Sequence, residues 1–340
     1  MKRLFRRATS LLLGFILAIT AVTQAAAVSY KPIEFTPGGE HFVWSDNPEY
    51  IYASTFYLSK AVFTVQTNMD SNMPYTFEYY HYNTAKMPLT FAVQLTNNSS
   101  SSVRYRITKN AKGYSSTDYR TMSANVHKNF ENSTTDVYRT LAPNASVLVP
   151  ESMLTVGNNN TVNSRIRITP AGSGLNGRIV VCQSSSTSQP KVSPQATDDG
   201  KSRTAAYFPY GKLYGWLDLG TKGTKYKICS SEWSLNPSEY PASEYASNAG
   251  RNGNGVGRFK YTCHGNYGVY YAFSLKNSNG NSLKLYAEDG GTRLAFYKQG
   301  SNAWTTKVVP AGGITIPMSG TEFTFMLTGS NSGSIVLEVV

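Results

Sequence analysis

The sequence predicts an all-β fold, with two tandem antiparallel β-sandwich domains related by internal duplication behind an N-terminal signal peptide. Three observations predict it. Apolar residues alternate with a period of two along much of the chain, blocks of the first half reappear in the same order in the second, and a polar run separates the halves. The expected boundaries are a signal peptide over 1–27, a first sandwich over 28–182, a flexible polar linker over 183–204 and a second sandwich over 205–340.

Lys2, Arg3, Arg6 and Arg7 precede an apolar run from Leu11 to Val22, and small residues follow at Ala25, Ala26 and Ala27. This is the layout of an export signal cleaved after Ala27. The run is shorter than the roughly twenty residues that cross a bilayer, so no transmembrane anchor is expected after cleavage. Ala8-Thr9-Ser10 after the paired arginines favours the general export route over a twin-arginine one, and the short cationic signal points to a bacterial source. Loss of the four cations takes the formal charge from +12 to +8. A basic protein outside the cell is drawn to polyanions, a statement about encounter rather than about a site.

Strands follow from alternation. Phe91, Val93 and Leu95 point one way and Thr90, Ala92 and Gln94 the other, while Val103, Tyr105 and Ile107 alternate with Arg104 and Arg106. Short clusters such as Asn97–Ser102 mark the turns. No stretch of a dozen residues shows a helical stripe, so each half is expected to hold seven or eight strands. Leu89–Asn97 aligns on Val269–Asn277, and Val103–Ile107 on Leu283–Ala287. Leu141–Pro150 aligns on Val308–Pro317, Arg165–Ile168 on Thr324–Leu327, and Gly177–Val180 on Gly333–Val336. The Leu141–Pro150 block, an apolar residue, a turn and a short strand closed by proline, resembles the middle turn of immunoglobulin-like bacterial surface modules, which implies immunoglobulin-like sandwiches. The run Gln183–Ser202 has two prolines and little to bury, the composition of a linker.

Three cysteines in an oxidising compartment allow at most one internal disulfide, and Cys229 with Cys263 is the expected pair. Cys182 ends an apolar strand and is expected to be a buried thiol. No cofactor and no metal site is expected. Met69, Met73, His81 and Met87 lack copper-binding spacing, and Asp198-Asp199-Gly200 is expected to be solvated charge. No Gly-x-Ser-x-Gly elbow occurs and the carboxylates form no motif, so the chain is expected not to be an enzyme.

Aromatic content, 24 Tyr, 15 Phe and 4 Trp, is the clearest functional signal. Phe77, Tyr79, Phe91, Phe259, Tyr261 and Phe273 fit inward positions. Tyr80, Tyr82, Tyr270 and Tyr286 fall on outward or loop positions, where flat rings with a polar tip grip sugars and proteins. The run Tyr207–Trp216 is too dense to be all core or all surface. Arg104, Arg106, Arg165, Arg167 and Arg178 alternate with inward apolar residues, whereas their second-half counterparts are Lys284, Tyr286, Thr324, Met326 and Ser334. If their strands share one sheet they make a basic face suited to phosphate or carboxylate. The expected function is a secreted or cell-surface, non-catalytic, adhesin-like binding protein. Its expected partner is an anionic polysaccharide or cell-wall polymer, with no specific nucleic acid. Two alternatives stand beside it: a self-assembling structural matrix subunit that pairs with other copies of itself, and an extracellular hydrolase without a recognisable motif.

Overall fold

The computed structural model describes residues 28–56, 59–184, 191–192, 194–197, 205–229, 268–329 and 333–340. The expected signal peptide, Cys263, Phe259, Tyr261 and most of the expected linker lie outside the described residues. The chain divides into a unit ending at Tyr30, of which only 28–30 are described, and one compact unit from Lys31 to Val340.

The first half holds strands β1 (Thr36–Gly38), β2 (His41–Ser45), β3 (Tyr50–Ile51), β4 (Ala61–Asn68), β5 (Tyr75–Asn83), β6 (Leu89–Asn97) and β7 (Val103–Ser115). Helix α1 (Tyr119–Glu131) follows, then β8 (Val137–Leu141), β9 (Ser146–Leu148), β10 (Leu154–Val156), β11 (Asn160–Pro170) and β12 (Leu175–Gln183). The second half holds β13 (Ala205–Phe208), β14 (Lys212–Asp218), β15 (Lys225–Ile228), β16 (Tyr270–Lys276) and β17 (Ser282–Ala287). It ends with β18 (Arg293–Gln299), β19 (Thr305–Val309), β20 (Ile314–Pro317), β21 (Glu322–Leu327) and β22 (Ile335–Val339).

These strands make two pairs of sheets, and the chain is all-β apart from α1 and two short 3-10 turns among the described residues. The order β13-β2-β5-β11-β7-β8 faces the order β10-β6-β12-β4 across a core that includes Phe77, Tyr79, Phe91, Tyr105 and Ile166, all buried as alternation requires. The order β1-β14-β16-β21-β18-β19 faces β15-β22-β17-β20 across a core that includes Tyr271, Phe273, Leu285 and Phe325. The sheets are not purely antiparallel as expected, because β2 and β3 run parallel to β5, and β14 runs parallel to β16.

The two pairs share one strand order, with β2, β5, β11, β7 and β8 standing where β14, β16, β21, β18 and β19 stand. This shifts part of the expected alignment: β6 occupies the place of β17, not of β16, and β7 that of β18. A period-two pattern looks the same from one strand to the next, so it cannot fix which strand matches which. The later blocks do fall on equivalent strands, β8 and β9 with β19 and β20, β11 with β21, and β12 with β22.

The halves also exchange their leading strands. β1 pairs with β14 of the second sandwich, and β13, which leads into β14, pairs with β2 of the first. Ile33 and Phe35 pack in the second core, and Ala205 in the first. Among the described residues the two sandwiches are therefore interlocked by their leading strands. The described part of the expected linker is docked as well: Val192 and Ala196 are buried, and Phe63 exchanges backbone hydrogen bonds with Pro194 and Ala196 at 2.9 and 2.8 Å. This short described stretch pairs where β4 would otherwise present an open edge.

Helix α1 is the element the sequence reading missed. Asp118 caps it, its carboxylate accepting from the Thr121 N–H at 3.1 Å. Met122, Val126 and Phe130 recur at i, i+4 and i+8, but the same buried face carries Ser123 and His127, which breaks the apolar stripe. The helix lies on the outer face of the first large sheet, against β7 and β11, and reaches β18 of the second sandwich. Met122, Val126 and Phe130 join one apolar cluster with Phe42 and Phe208 of the first sheet and with the second core.

Candidate functional site

The outer faces of the two large sheets approach each other around α1, and the space between them is closed at its centre and open at one side. At the closed centre stands Glu78, wholly buried on β5, beside Arg165 on the neighbouring β11. Arg165 donates to Glu78 and, at 3.0 Å, to the Gly268 carbonyl. Its guanidinium lies 5.1–5.2 Å from the rings of Phe42, Phe130 and Tyr270. Gly268 has φ 80°, and a Cβ there would stand 2.5 Å from the Phe42 ring, so only glycine brings this carbonyl to Arg165.

His127 of α1 approaches the other Glu78 oxygen through Nε2 at 2.7 Å, and Asn163 donates to it at 3.2 Å. Burial first, and the Arg165 charge second, hold the His127 imidazole well below its usual pKa, so it is neutral, and towards an ionised Glu78 it donates Nε2–H. Its Nδ1 has no hydrogen-bond partner among the described residues. Burial pushes the Glu78 carboxyl up, with Arg165 and Asn163 pulling against it. The cluster ties both sandwiches and the helix to one carboxylate.

Towards solvent the same space becomes a cleft of about 530 Å³. One wall is built from the first half: Arg167 pairs with Glu40 (Nη2 to Oε1, 2.8 Å), Thr76 donates to the same oxygen, and Lys109 donates to Glu131 at 2.8 Å. The other wall is the second large sheet, with Lys212 and Tyr214 on β14, Tyr270 and Ser274 on β16, Lys298 on β18, and Trp304 before β19. Tyr270 closes the back by donating its hydroxyl to Glu131. Burial works to raise the Glu131 carboxyl, but Lys109, Tyr270 and Arg165 outweigh it and hold the pKa below the ordinary value. Trp304 stacks on Phe296 with centroids 4.4 Å apart, the Lys298 ammonium lies 5.4 Å over the Trp304 ring, and that of Lys212 lies 5.6 Å over Tyr214. Once the two wall pairs cancel, Lys212 and Lys298 face Glu322, one positive charge in excess. Neither lysine has a carboxylate within ion-pair distance among the described residues.

Of the residues singled out in the sequence, Arg167 and Tyr270 line this cleft and Arg165 lies directly behind it. The expected arginine face needs correction. Arg104, Arg106, Arg165 and Arg167 do share the outer face of one sheet, because β7 and β11 are neighbours. Arg165 is nonetheless buried, since the helix and second sandwich cover it, and Arg167 is held by Glu40. Arg104 and Arg106 remain exposed, each over the Tyr138 ring, with Arg106 paired to Asp136. Arg178 belongs to the other sheet, where it donates to Gln66 and to the Val192 carbonyl and fastens the docked linker.

The tyrosines are corrected likewise. Tyr80 is buried against Gly329, and Tyr270, expected to point outward, is buried in the cleft wall. Tyr82 packs edge-on against Tyr50, and Tyr286 stands on the outermost sheet under Lys284. Sequence reasoning missed Glu40, Glu131, Lys109, Lys298 and Trp304, which no local pattern connects. The signal for Lys212 and Tyr214 was present, because in Lys212-Leu213-Tyr214-Gly215-Trp216 the leucine is buried and the tyrosine and tryptophan are exposed.

Cys229 is buried at the end of β15 at φ 54°, and its expected partner Cys263 lies outside the described residues. Cys182 is a buried thiol whose pKa burial pushes up to about 11. A Ser45–His81 contact of 3.1 Å lies wholly inside the first sandwich, and the His81 Nδ1 faces the Pro48 carbonyl, not a carboxylate, so it forms no nucleophilic triad. No group of three His, Cys, Asp or Glu residues suited to a metal occurs among the described residues, and no described helix is long and apolar enough to cross a membrane.

No protein-family model matches the chain, and no curated protein matches it. Among solved structures it shows slight similarity to a protein from a marine microbial metagenome, at 7% identity over 80% of this chain and 53% of that one, with a TM-score of 0.16. The chain thus spans about half the length of that protein. Procruciferin, the 11S globulin of Brassica napus, gives 10% identity over 94% and 88% with a TM-score of 0.18. Oxalate decarboxylase from Bacillus subtilis gives 7% over 84% and 77% with a TM-score of 0.14. At such scores these likenesses carry no argument about fold or activity.

Proposed function

We propose that this chain is a secreted, non-catalytic, adhesin-like binding protein whose ligand is an anionic polysaccharide or cell-wall polymer, held in the cleft between the sandwiches. The observation that carries the reading is the pair Lys212 and Lys298, ammonium groups with no carboxylate partner among the described residues, set over the rings of Tyr214 and Trp304 at the open side of a preformed cleft. Export rests on the cationic, apolar and small-residue layout of residues 1–27. The descent of both sandwiches from one immunoglobulin-like module by duplication belongs to the same proposal, supported by their shared strand order. Glu131 is unsuited to the general-acid role of a hydrolase, because that role needs a raised pKa and this carboxyl is held down.

Retention of the full chain on purified cell walls or an immobilised acidic polysaccharide, falling as salt rises, is the expected result. Lys212→Gln with Lys298→Gln weakens that retention. No retention at low salt, or retention unchanged in the double variant, overturns the reading. One observation favours self-assembly as a second reading: the exchanged pairs β1–β14 and β13–β2 have the same partners whether they form within one chain or between two. Growth of light scattering with concentration, in the absence of ligand, distinguishes it.

A further inference from the structure

We infer that the ligand is a chain of pyranose rings carrying carboxylates, a polyuronate, and that it leaves the cleft along strand β14; this rests on the binding function proposed above and narrows its ligand class. The outward positions of β14 are Lys212, Tyr214 and Trp216, and the inward Leu213 and Leu217 are buried. Trp216 is 62% exposed and Tyr214 44%, so two adjacent aromatic side chains on one sheet face stand open to solvent. The register sets Tyr214 beside Ala272 and Trp216 beside Ser274, whose short side chains leave the floor next to the rings low.

Ammonium groups interleave with the rings. Lys212 lies 5.6 Å over Tyr214, and Lys276 lies 5.2 Å over Trp216. Asp218, hydrogen-bonded by Asn277, closes the row. The row therefore continues the cleft, where Lys298 and Trp304 repeat the pairing of a cation with a ring.

A ligand that uses both features must offer flat C–H faces to the rings and anions to the lysines. A poly(glycerol phosphate) has anions and no ring face, and a neutral glucan has ring faces and no anion. A polyuronate has both on each residue. Lysine on its flexible stem can swing from the ring to a carboxylate, which makes it suited to follow a repeating chain.

The test is affinity electrophoresis of the full chain at low salt through gels containing polygalacturonate, poly(glycerol phosphate) or a neutral glucan. The expected result is strongest retardation by polygalacturonate, with Trp216→Ala and Tyr214→Ala each weakening it about tenfold. Lys276→Gln is expected to weaken it and flatten its salt dependence. Both rings are exposed, so circular dichroism of these variants should match that of the parent. Equal retardation by poly(glycerol phosphate) with no effect of Trp216→Ala overturns this inference and leaves the anionic-polymer function standing. Equal retardation by the neutral glucan removes the uronate, and no retardation by either anionic polymer removes the parent reading too.

Discussion

Replacing Glu78 by glutamine removes the one carboxylate, among the described residues, within hydrogen-bond distance of Arg165 while keeping the side chain's size and shape. Arg165 is 1% exposed and Glu78 is fully buried, so water cannot take the lost partner's place. What remains for the guanidinium is a neutral amide oxygen, the Gly268 carbonyl and three aromatic faces, none of which carries the compensating charge. Breaking a buried ion pair from one side costs about 3–5 kcal/mol, a large part of a stability of about 5–15 kcal/mol. With a urea slope of about 3 kcal/mol/M, the midpoint of unfolding should fall by about 1–1.7 M. Removing both charges, as Glu78→Gln with Arg165→Met, should cost less than either single change, because no uncompensated charge is then left inside. Urea titration followed by tryptophan fluorescence measures all three. A cost below about 1 kcal/mol for Glu78→Gln would mean that Glu78 is already protonated in the folded protein, and the ion-pair account would fall. A double variant as unstable as the sum of the singles would refute the coupling.

Acid should destabilise the protein through His81, whose folded pKa is lowered to about 4, chiefly by burial, with the Pro48 carbonyl opposing. The unfolded chain then takes up the proton first, so this contribution is complete above about pH 6.5 and is lost as pH falls towards 4, a change of about 3 kcal/mol. His127 shifts the same way. Urea midpoints at pH 7.5 and 4.5 should differ accordingly, the difference shrinking in His81→Gln; equal midpoints would contradict it. Cys182 should resist a thiol reagent until the protein is unfolded, and reaction of the native chain at the rate of a free thiol would show its strand to be open. Peptide mapping without reduction should recover Cys229 linked to Cys263, and three free thiols would exclude the pairing. Cutting the chain at a protease site introduced within 185–190 should leave the halves associated on gel filtration, because β1 and β13 are each paired in the other half's sheet. Separation into two species would show that the exchange contributes little.

The all-β class and the inward residues were legible in the sequence because a strand's alternation is local. Phe77, Tyr105 and Ile166 needed only their neighbours to be placed in a core. Tyr214 and Trp216 were not singled out within the dense run Tyr207–Trp216, although alternation with the inward Leu213 and Leu217 is what exposes them. Helix α1 was half legible: Met122, Val126 and Phe130 carry the right spacing, but Ser123 and His127 on the same face are tolerated only because Asn163 and Glu78 receive them from other strands. Tertiary structure alone decided that Arg165 is interior and Arg104 exposed. Both alternate with apolar neighbours in the same way, and the difference lies in what covers the sheet at each point. It also decided the cleft, whose walls join Glu40, Glu131, Tyr270 and Lys298 from distant parts of the chain, and the exchange of β1 and β13. A leading strand pairs equally well with either of two like edges, so its choice depends on where the rest of the chain holds those edges, which no local pattern records.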